Sequence, residues 1–355
     1  MHKCGSLLVA TLLLVAPLTA CESSNSTSTG TTSSGGSSIN SRLDTIKQRG
    51  KLICGVDGKI PGFSFVDESG QYSGLDVDIC KAVAAAVFGD PKAVEYRNLD
   101  STERFEALKS GEVDILSRNT TWTISRDTSV GLEFAPTTFF DGQGMMVRQD
   151  SGITKLEDLE GKAVCVEAGT TTELNLTDAL RQRNIKAETV TFQQADPAYA
   201  AYAEGRCQGM TSDKSQLVAR RSTLPNPDEH ILLDVTMSKE PLGPVTVNND
   251  SAWFDVVKWT TYALIEAEEL GINQGNVDQL KTSENPNIKR FLGTEGDLGT
   301  GARLSNDFAA NAVKAVGNYG EVYERNLGQG SQFKLPRGQN ALWTNGGLMY
   351  SPPLR

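Results

Sequence analysis

From Arg42 onward the apolar positions fall into short runs that alternate between two periods. Residues 51–56 form a brief apolar run, read as a strand, that ends near the turn-forming pairs Asp57-Gly58 and Pro61-Gly62. Residues 75–88 carry apolar side chains at 79, 80, 83, 84 and 87, the spacing of one helical face. A strand over 94–96, a helix over 101–110 and a strand over 113–116 complete a βαβαβ order. That order implies a parallel sheet with right-handed crossovers. The same grammar restarts after Gly144, with strands over 163–166, 189–192 and 208–211 and helices over 171–183 and 197–204. No close sequence repeat links the halves; only the pattern recurs.

After about Pro241 the chain becomes helix-rich. Residues 251–270 place apolar side chains at 253, 254, 257, 264 and 265, a packing stripe, with Glu266, Glu268 and Glu269 on a solvated face. The predicted fold class is α/β, with two lobes that are each a mainly parallel sheet flanked by helices, plus a helical C-terminal extension. The expected division is 42–141 for the first lobe, 142–240 for the second, and 241–355 for the return to the first lobe and the extension. Such lobes set a cleft where the carboxyl ends of their sheets face each other.

The chain has 355 residues and a formal charge of −10, which argues against nucleic acid or a polybasic membrane surface as partner. Residues 1–20 read as an export signal: Lys3 gives a positive start, and an apolar run over 7–18 is too short to span a bilayer. Leu18-Thr-Ala-Cys21 resembles the lipobox of bacterial lipoproteins, which makes Cys21 the expected lipidation site; an ordinary signal with a chance cysteine is the alternative. Residues 21–41 then form an anchor and a Ser/Thr/Gly tether that cannot bury a core. The expected location is extracytoplasmic, membrane-anchored through that cysteine.

Four cysteines remain in the body, Cys54, Cys80, Cys165 and Cys207. They allow three pairings; Cys54 with Cys80 and Cys165 with Cys207 are favoured because each stays within one lobe, and free buried thiols are the alternative. No paired CxxC spacing exists and the mature body has one histidine, His230, so neither a metal nor a cofactor is expected.

The chemistry concentrates in a few segments. Gly74-Leu-Asp-Val-Asp78, Leu108-Lys-Ser-Gly-Glu-Val-Asp114 and Thr121-Trp-Thr-Ile-Ser-Arg126 resemble the first lobe of polar amino-acid-binding proteins of ABC importers. Val164-Cys-Val-Glu-Ala-Gly-Thr-Thr-Thr-Glu173 and Gly205-Arg-Cys-Gln-Gly-Met-Thr-Ser-Asp213 resemble their second lobe. The stretches 259–271, 317–320 and 347–355 are similar to a narrower group, the longer general L-amino-acid-binding proteins. The resemblance covers everything from Arg42 to the C-terminus. It implies a two-lobed periplasmic-binding-protein fold of type II and a role in capturing free L-amino acids. Delivery to ABC permease and ATPase subunits follows, and the protein is expected to be a monomer without enzyme activity.

The residues fit that reading. A free amino acid is a zwitterion and needs a fixed cation and a fixed anion. Arg126, the arginine the family uses for the carboxylate, offers a planar fork that makes two parallel charge-assisted bonds; with Asp127 beside it, a surface ion pair is the plain alternative. Asp213, following a strand expected to end at Thr211, is the candidate for the ammonium; an N-cap from Lys214 onward is its alternative. Gly169 and Thr171 precede a helix whose free N–H groups suit a carboxylate, with the Thr171 hydroxyl as a further donor. Thr121 and Asn119 match positions where the family offers hydroxyls or main-chain groups. One departure matters: the positions aligned with the family's two stacking rings are Ile60 and Ser101, and Phe63 nearby is expected to pack under the loop. Loss of the sandwich predicts broad side-chain tolerance. With Arg126 on one lobe and Thr171 and Asp213 on the other, ligand closes the cleft, hinged at 139–146 and 233–245. The rival readings are a sensor module and a dehydratase-like enzyme on the same fold, using carboxylates such as Glu167 or Asp57.

Overall fold

The computed structural model describes residues 41–355. The signal, lipidation-site and tether expectations on residues 1–40 lie outside the described residues. After helix α1 (Arg42–Arg49), strand β1 (Leu52–Val56) pairs in parallel with β5 (Val94–Asn98) and β6 (Ile115–Leu116). A small antiparallel sheet of β2 (Lys59–Ile60), β3 (Ser64–Val66) and β4 (Tyr72–Ser73) lies between them in sequence. Helices α2 (Leu75–Phe88) and α3 (Arg104–Ser110) make the crossovers. Two antiparallel additions, β14 (Val245–Val247) and β7 (Leu132–Phe134), complete the order β5-β1-β6-β14-β7. The predicted strand over 113–116 is cut to two residues because Asp114 turns its carboxylate back onto the Ile53 N–H, at 2.7 Å.

The second sheet runs β10-β9-β11-β8-β12. Its members are β8 (Phe139–Arg148), β9 (Ala163–Glu167), β10 (Glu188–Phe192), β11 (Gly209–Asp213) and β12 (His230–Leu232). Between them lie α4 (Thr171–Gln182), α5 (Ala195–Ala203) and α6 (Lys214–Arg221). The long strand β8 reaches beyond this sheet: its first residues pair antiparallel with β13 (Lys239–Leu242), Phe139 opposite Leu242 and Asp141 opposite Glu240. These two strands are the connections between the lobes.

The C-terminal section packs on the first lobe. Helix α7 (Ser251–Glu269) lays Trp253 and Val257 against β1 and α1, and Leu264 and Ile265 against a second cluster. That cluster joins α2 to α10 (Phe308–Val316) and α11 (Tyr319–Asn326), and takes in Phe291 of α8 (Pro286–Phe291); short α9 (Leu298–Gly301) lies beside it. Phe254, predicted to belong to the stripe, is only half-buried. Cys54–Cys80 and Cys165–Cys207 are disulfides, each inside one lobe, tying β1 to α2 and β9 to the segment before β11. None of the described helices is long and apolar enough to cross a membrane.

Glycine is required at the start of α2. Gly74 has φ 125°, and a Cβ there would lie 2.1 Å from the Phe63 carbonyl oxygen. That carbonyl accepts from the Asp76 N–H at 2.9 Å, and Gly62 O accepts from Leu75 N at 2.9 Å. The first turn of the helix is thus capped by main chain rather than by a side chain.

Candidate functional site

One small cavity between the lobes is lined by Ser101, Arg104, Arg118, Asn119, Thr121 and Arg126 from the first. The second lobe contributes Glu167, Thr170, Thr171, Thr172, Ser212, Asp213 and Gln216. Every one of these residues follows or closes a strand at its carboxyl end, where the sheet ladder stops and side chains become free to point into the cleft.

On the first lobe, Asp76 in the first turn of α2 shapes the loop after β6. Its carboxylate accepts the Asn119 N–H at 3.2 Å and the Ser117 hydroxyl at 3.3 Å. Burial pushes its pKa up to about 6, opposed by those two bonds and by Arg118. The loop bends through Asn119 at φ 42°, a left-handed conformation that asparagine tolerates. Neither amide atom of the Asn119 side chain has a partner among the described residues. Arg126 sits in a short helical turn, Ser125–Ser129. It is buried, donates from Nη1 to the Thr121 carbonyl at 2.9 Å, and lies 5.3 Å from the centre of the Phe105 ring. Burial lowers its pKa to about 10, against the pull of Glu240 and Asp213. Asp127 instead accepts the Trp122 indole N–H at 2.9 Å, so the neighbouring carboxylate is not Arg126's partner.

On the second lobe β11 runs two residues further than predicted and ends on Asp213 itself. Asp213 occupies the N-cap position of α6, but its side chain makes no capping bond. Asp141 of β8 takes that task, accepting the Ser215 N–H at 3.1 Å and its hydroxyl. Asp213 is thereby released toward the cavity, buried, with Oδ1 unpartnered among the described residues. Burial, then Asp141, then Glu240 hold its pKa well above the usual carboxylate range.

The helix start at α4 is partly self-capped: Thr170 Oγ1 accepts from Glu173 N at 3.1 Å, and Glu173 accepts the Gly169 N–H at 3.0 Å. Gly169, at φ 71°, lies at the cavity's edge, its carbonyl 3.5 Å from Arg104 Nη2. Ile60 and Phe63 are both core residues, whereas Ser101 lines the cavity with an unpartnered hydroxyl.

Three residues that sequence reasoning passed over complete the site. Arg118 donates to Asp57 at 2.7 Å and to the Leu99 carbonyl at 2.7 Å, and reaches across the cleft to Glu167 at 3.6 Å. Arg104 is 2% exposed, and its Nε–H has no partner among the described residues. Burial, then Arg118 and Arg126, push its pKa down. Glu240, 1% exposed on hinge strand β13, accepts the Thr121 hydroxyl at 2.6 Å, the Thr171 hydroxyl at 2.8 Å, the Asn175 amide at 2.9 Å and the Ser238 hydroxyl. It was legible only as part of a hinge segment.

The lobes meet around the cavity. Thr121 and Thr171 hydroxyls are 3.2 Å apart, Gln194 donates to Asp100 at 2.7 Å, and Arg220 donates to the Lys59 carbonyl at 3.0 Å. Lys59 itself lies 3.3 Å from Asp196. The cleft is closed.

Two α/β lobes joined by paired strands, with a buried polar cavity at the junction, define a two-lobed solute-binding protein of the type II periplasmic architecture. The chain belongs to the bacterial extracellular solute-binding proteins, family 3, whose sequence pattern matches residues 52–308. It is 54% identical over 315 residues to the general L-amino acid-binding periplasmic protein AapJ of Rhizobium johnstonii, covering 88% of this chain and 92% of that one. The glutamate/glutamine/aspartate/asparagine-binding protein BztA of Rhodobacter capsulatus is 47% identical over 321 residues, 90% of this chain and 95% of that one. Among solved structures, an ABC transporter periplasmic binding protein from Brucella ovis with glutathione bound superposes with a TM-score of 0.87. It is 49% identical, over 89% of this chain and 99% of that one.

Proposed function

We propose that this protein captures free L-amino acids, with broad side-chain tolerance, and delivers them to the permease of an ABC-type importer. The observation that carries the reading is that Arg126 and Asp213, one from each lobe, line the same closed cavity. A zwitterion bridges them: Arg126 takes the carboxylate and Asp213 the ammonium, with Thr121, Asn119, Thr171 and Gly169 around the two ends. Each charge-assisted bond contributes about 1.5–3 kcal/mol. A few of them reach the ~5.5 kcal/mol of differential affinity that moves a clamp from mostly open to mostly closed. Two of the relatives, a general L-amino-acid-binding protein and a glutamate/glutamine/aspartate/asparagine-binding protein, support the same class. Ser101 in place of a stacking ring leaves the side-chain end without an aromatic filter, which favours breadth.

The same reading makes the protein a monomer without enzyme activity. It works outside the cytoplasmic membrane, carried on lipidated Cys21 after loss of residues 1–20, with lobes spanning 42–141 and 142–240 and a return over 241–355. Calorimetry with a panel of L-amino acids tests it: several should bind, and Arg126→Ala should bind none while its melting temperature without added amino acid stays within about 2 °C of wild type. Wild-type affinity in that variant, or a single amino acid bound to the exclusion of its neighbours in size and charge, would refute the assignment or the breadth respectively.

A further inference from the structure

Glu240 stands directly behind two threonines that come from opposite lobes. Its Oε2 accepts the Thr121 hydroxyl at 2.6 Å and the Thr171 hydroxyl at 2.8 Å, while Oε1 takes Asn175 and Ser238. A threonine hydroxyl owns one hydrogen and two lone pairs. With that hydrogen committed to the carboxylate behind, each hydroxyl presents only lone pairs to the cavity. The Thr121 and Thr171 oxygens, 3.2 Å apart, then form a pair of acceptors rather than donors. Asp213 adds a third acceptor on the same cavity through its unpartnered Oδ1.

We infer that Glu240 is a positioning residue that sets the polarity of the site, turning the Thr121 and Thr171 hydroxyls into acceptors for the ligand's ammonium group. This rests on the reading of the protein as an amino-acid binder, and it reverses the donor role that the helix start alone assigns to the Thr171 hydroxyl. The ammonium sits at the hinge end, against Thr121, Thr171 and Asp213. The carboxylate lies toward Arg126 and the unpartnered Asn119 amide. Because the two threonines belong to different lobes and Glu240 to the strand that joins them, one buried carboxylate sets the hydrogen-bond direction on both sides of the clamp at once. Four donors satisfy its two oxygens, so it makes no hydrogen-bond demand on the ligand.

The test compares each amino acid with its α-hydroxy acid, which has the same shape but no ammonium. L-Alanine, L-glutamate and L-leucine are titrated against their hydroxy counterparts by calorimetry, with wild type, Glu240→Gln, Thr171→Val and Thr171→Ser. In Glu240→Gln the ratio of amino-acid to hydroxy-acid affinity should fall by about tenfold or more, because a carboxamide behind the threonines also donates and lets their hydrogens turn outward. Thr171→Val should weaken amino acids by about tenfold and hydroxy acids by less than about threefold, whereas Thr171→Ser, which keeps the hydroxyl, should restore the ratio of the two affinities to within about threefold of wild type. Equal loss for both ligand types in Glu240→Gln and Thr171→Val would mean that these residues only hold the hinge together, and the inference falls. An unchanged ratio in both variants also overturns it. If wild type binds none of the three amino acids, the reading of the protein as an amino-acid binder fails as well, so the two failures are told apart. Should Glu240→Gln not fold, the two Thr171 variants decide alone.

Discussion

At the scale of single residues, the site is built from charges whose protein partners are deliberately incomplete. Arg104 is the extreme case: a buried guanidinium whose one hydrogen bond among the described residues is a 3.5 Å contact to a carbonyl. Glu167, Asp57 and Asp213 are near enough to act on it through space, but it forms no salt bridge with them among the described residues, and a buried cation held so loosely costs the fold stability. Arg104→Met is therefore expected to raise the melting temperature measured without added amino acid by about 2–4 °C; a lower value would show that the guanidinium supports the lobe. Asp76 carries the opposite kind of information. Its folded pKa, about 6, lies above that of an unfolded aspartate, so its contribution to stability is complete below about pH 4 and is lost as pH rises through 6. Asp76→Asn cannot titrate. The difference in melting temperature, variant minus wild type, should consequently move in the variant's favour between pH 4 and 7, and a flat difference would remove burial as the cause. Arg126 and Asp213, singled out in the sequence as a pair of opposite sign, do line one cavity. Glu240, Arg104 and Arg118 were not legible in the sequence, since their roles depend on neighbours 60 or more positions away on another element, as Arg118 and Asp57 are (|i−j| 61).

At the scale of elements, the hydrophobic period located the helices well. The predicted helix over 75–88 is α2 with the same bounds, and the strand, helix and strand after Gly144 appear within a few residues. Strand ends were harder to read, because they are set by what happens at the cleft. β11 extends to Asp213 through its pairing with Gln143 of β8, and β2 to β4 are too short for an alternation to register. Capping was legible only in part: the helix after Gly169 was expected to offer free N–H groups, yet Thr170 and Glu173 use some of them locally. Gly74 gives the sharpest test at this scale. Gly74→Ala forces a side chain into the Phe63 carbonyl and into a φ that only glycine visits freely, so a loss of more than about 3 kcal/mol is expected by urea denaturation. A loss under about 1 kcal/mol would mean that the α2 start can shift without harm.

At the scale of the whole molecule, the closed state is held by the contacts of Thr121, Thr171 and Glu240 at the cavity and by a rim of ordinary polar contacts. Lys59 with Asp196 and Gln194 with Asp100 lie on that rim, partly solvated, and are each worth at most about 1 kcal/mol. The double variant Lys59→Ala/Gln194→Ala should populate the open form more without amino acid, seen as a larger radius of gyration in small-angle X-ray scattering. Saturating amino acid should restore the compact value. An unchanged radius would place the closing force elsewhere. The disulfides do not oppose this motion, since neither crosses from one lobe to the other.

All four tryptophans fall outside residues 142–240, and one of them stands beside the cavity between the lobes. Trp122 follows Thr121 directly, ties its main-chain N–H to the Pro241 carbonyl of β13 at 2.9 Å, and stacks on Phe134 while remaining 45% exposed. Trp253, Trp259 and Trp343 ride on the C-terminal helices and loops. The protein therefore carries a built-in optical gauge: one indole at the seam between the lobes, read against a background of three on the scaffold, with no indole in residues 142–240.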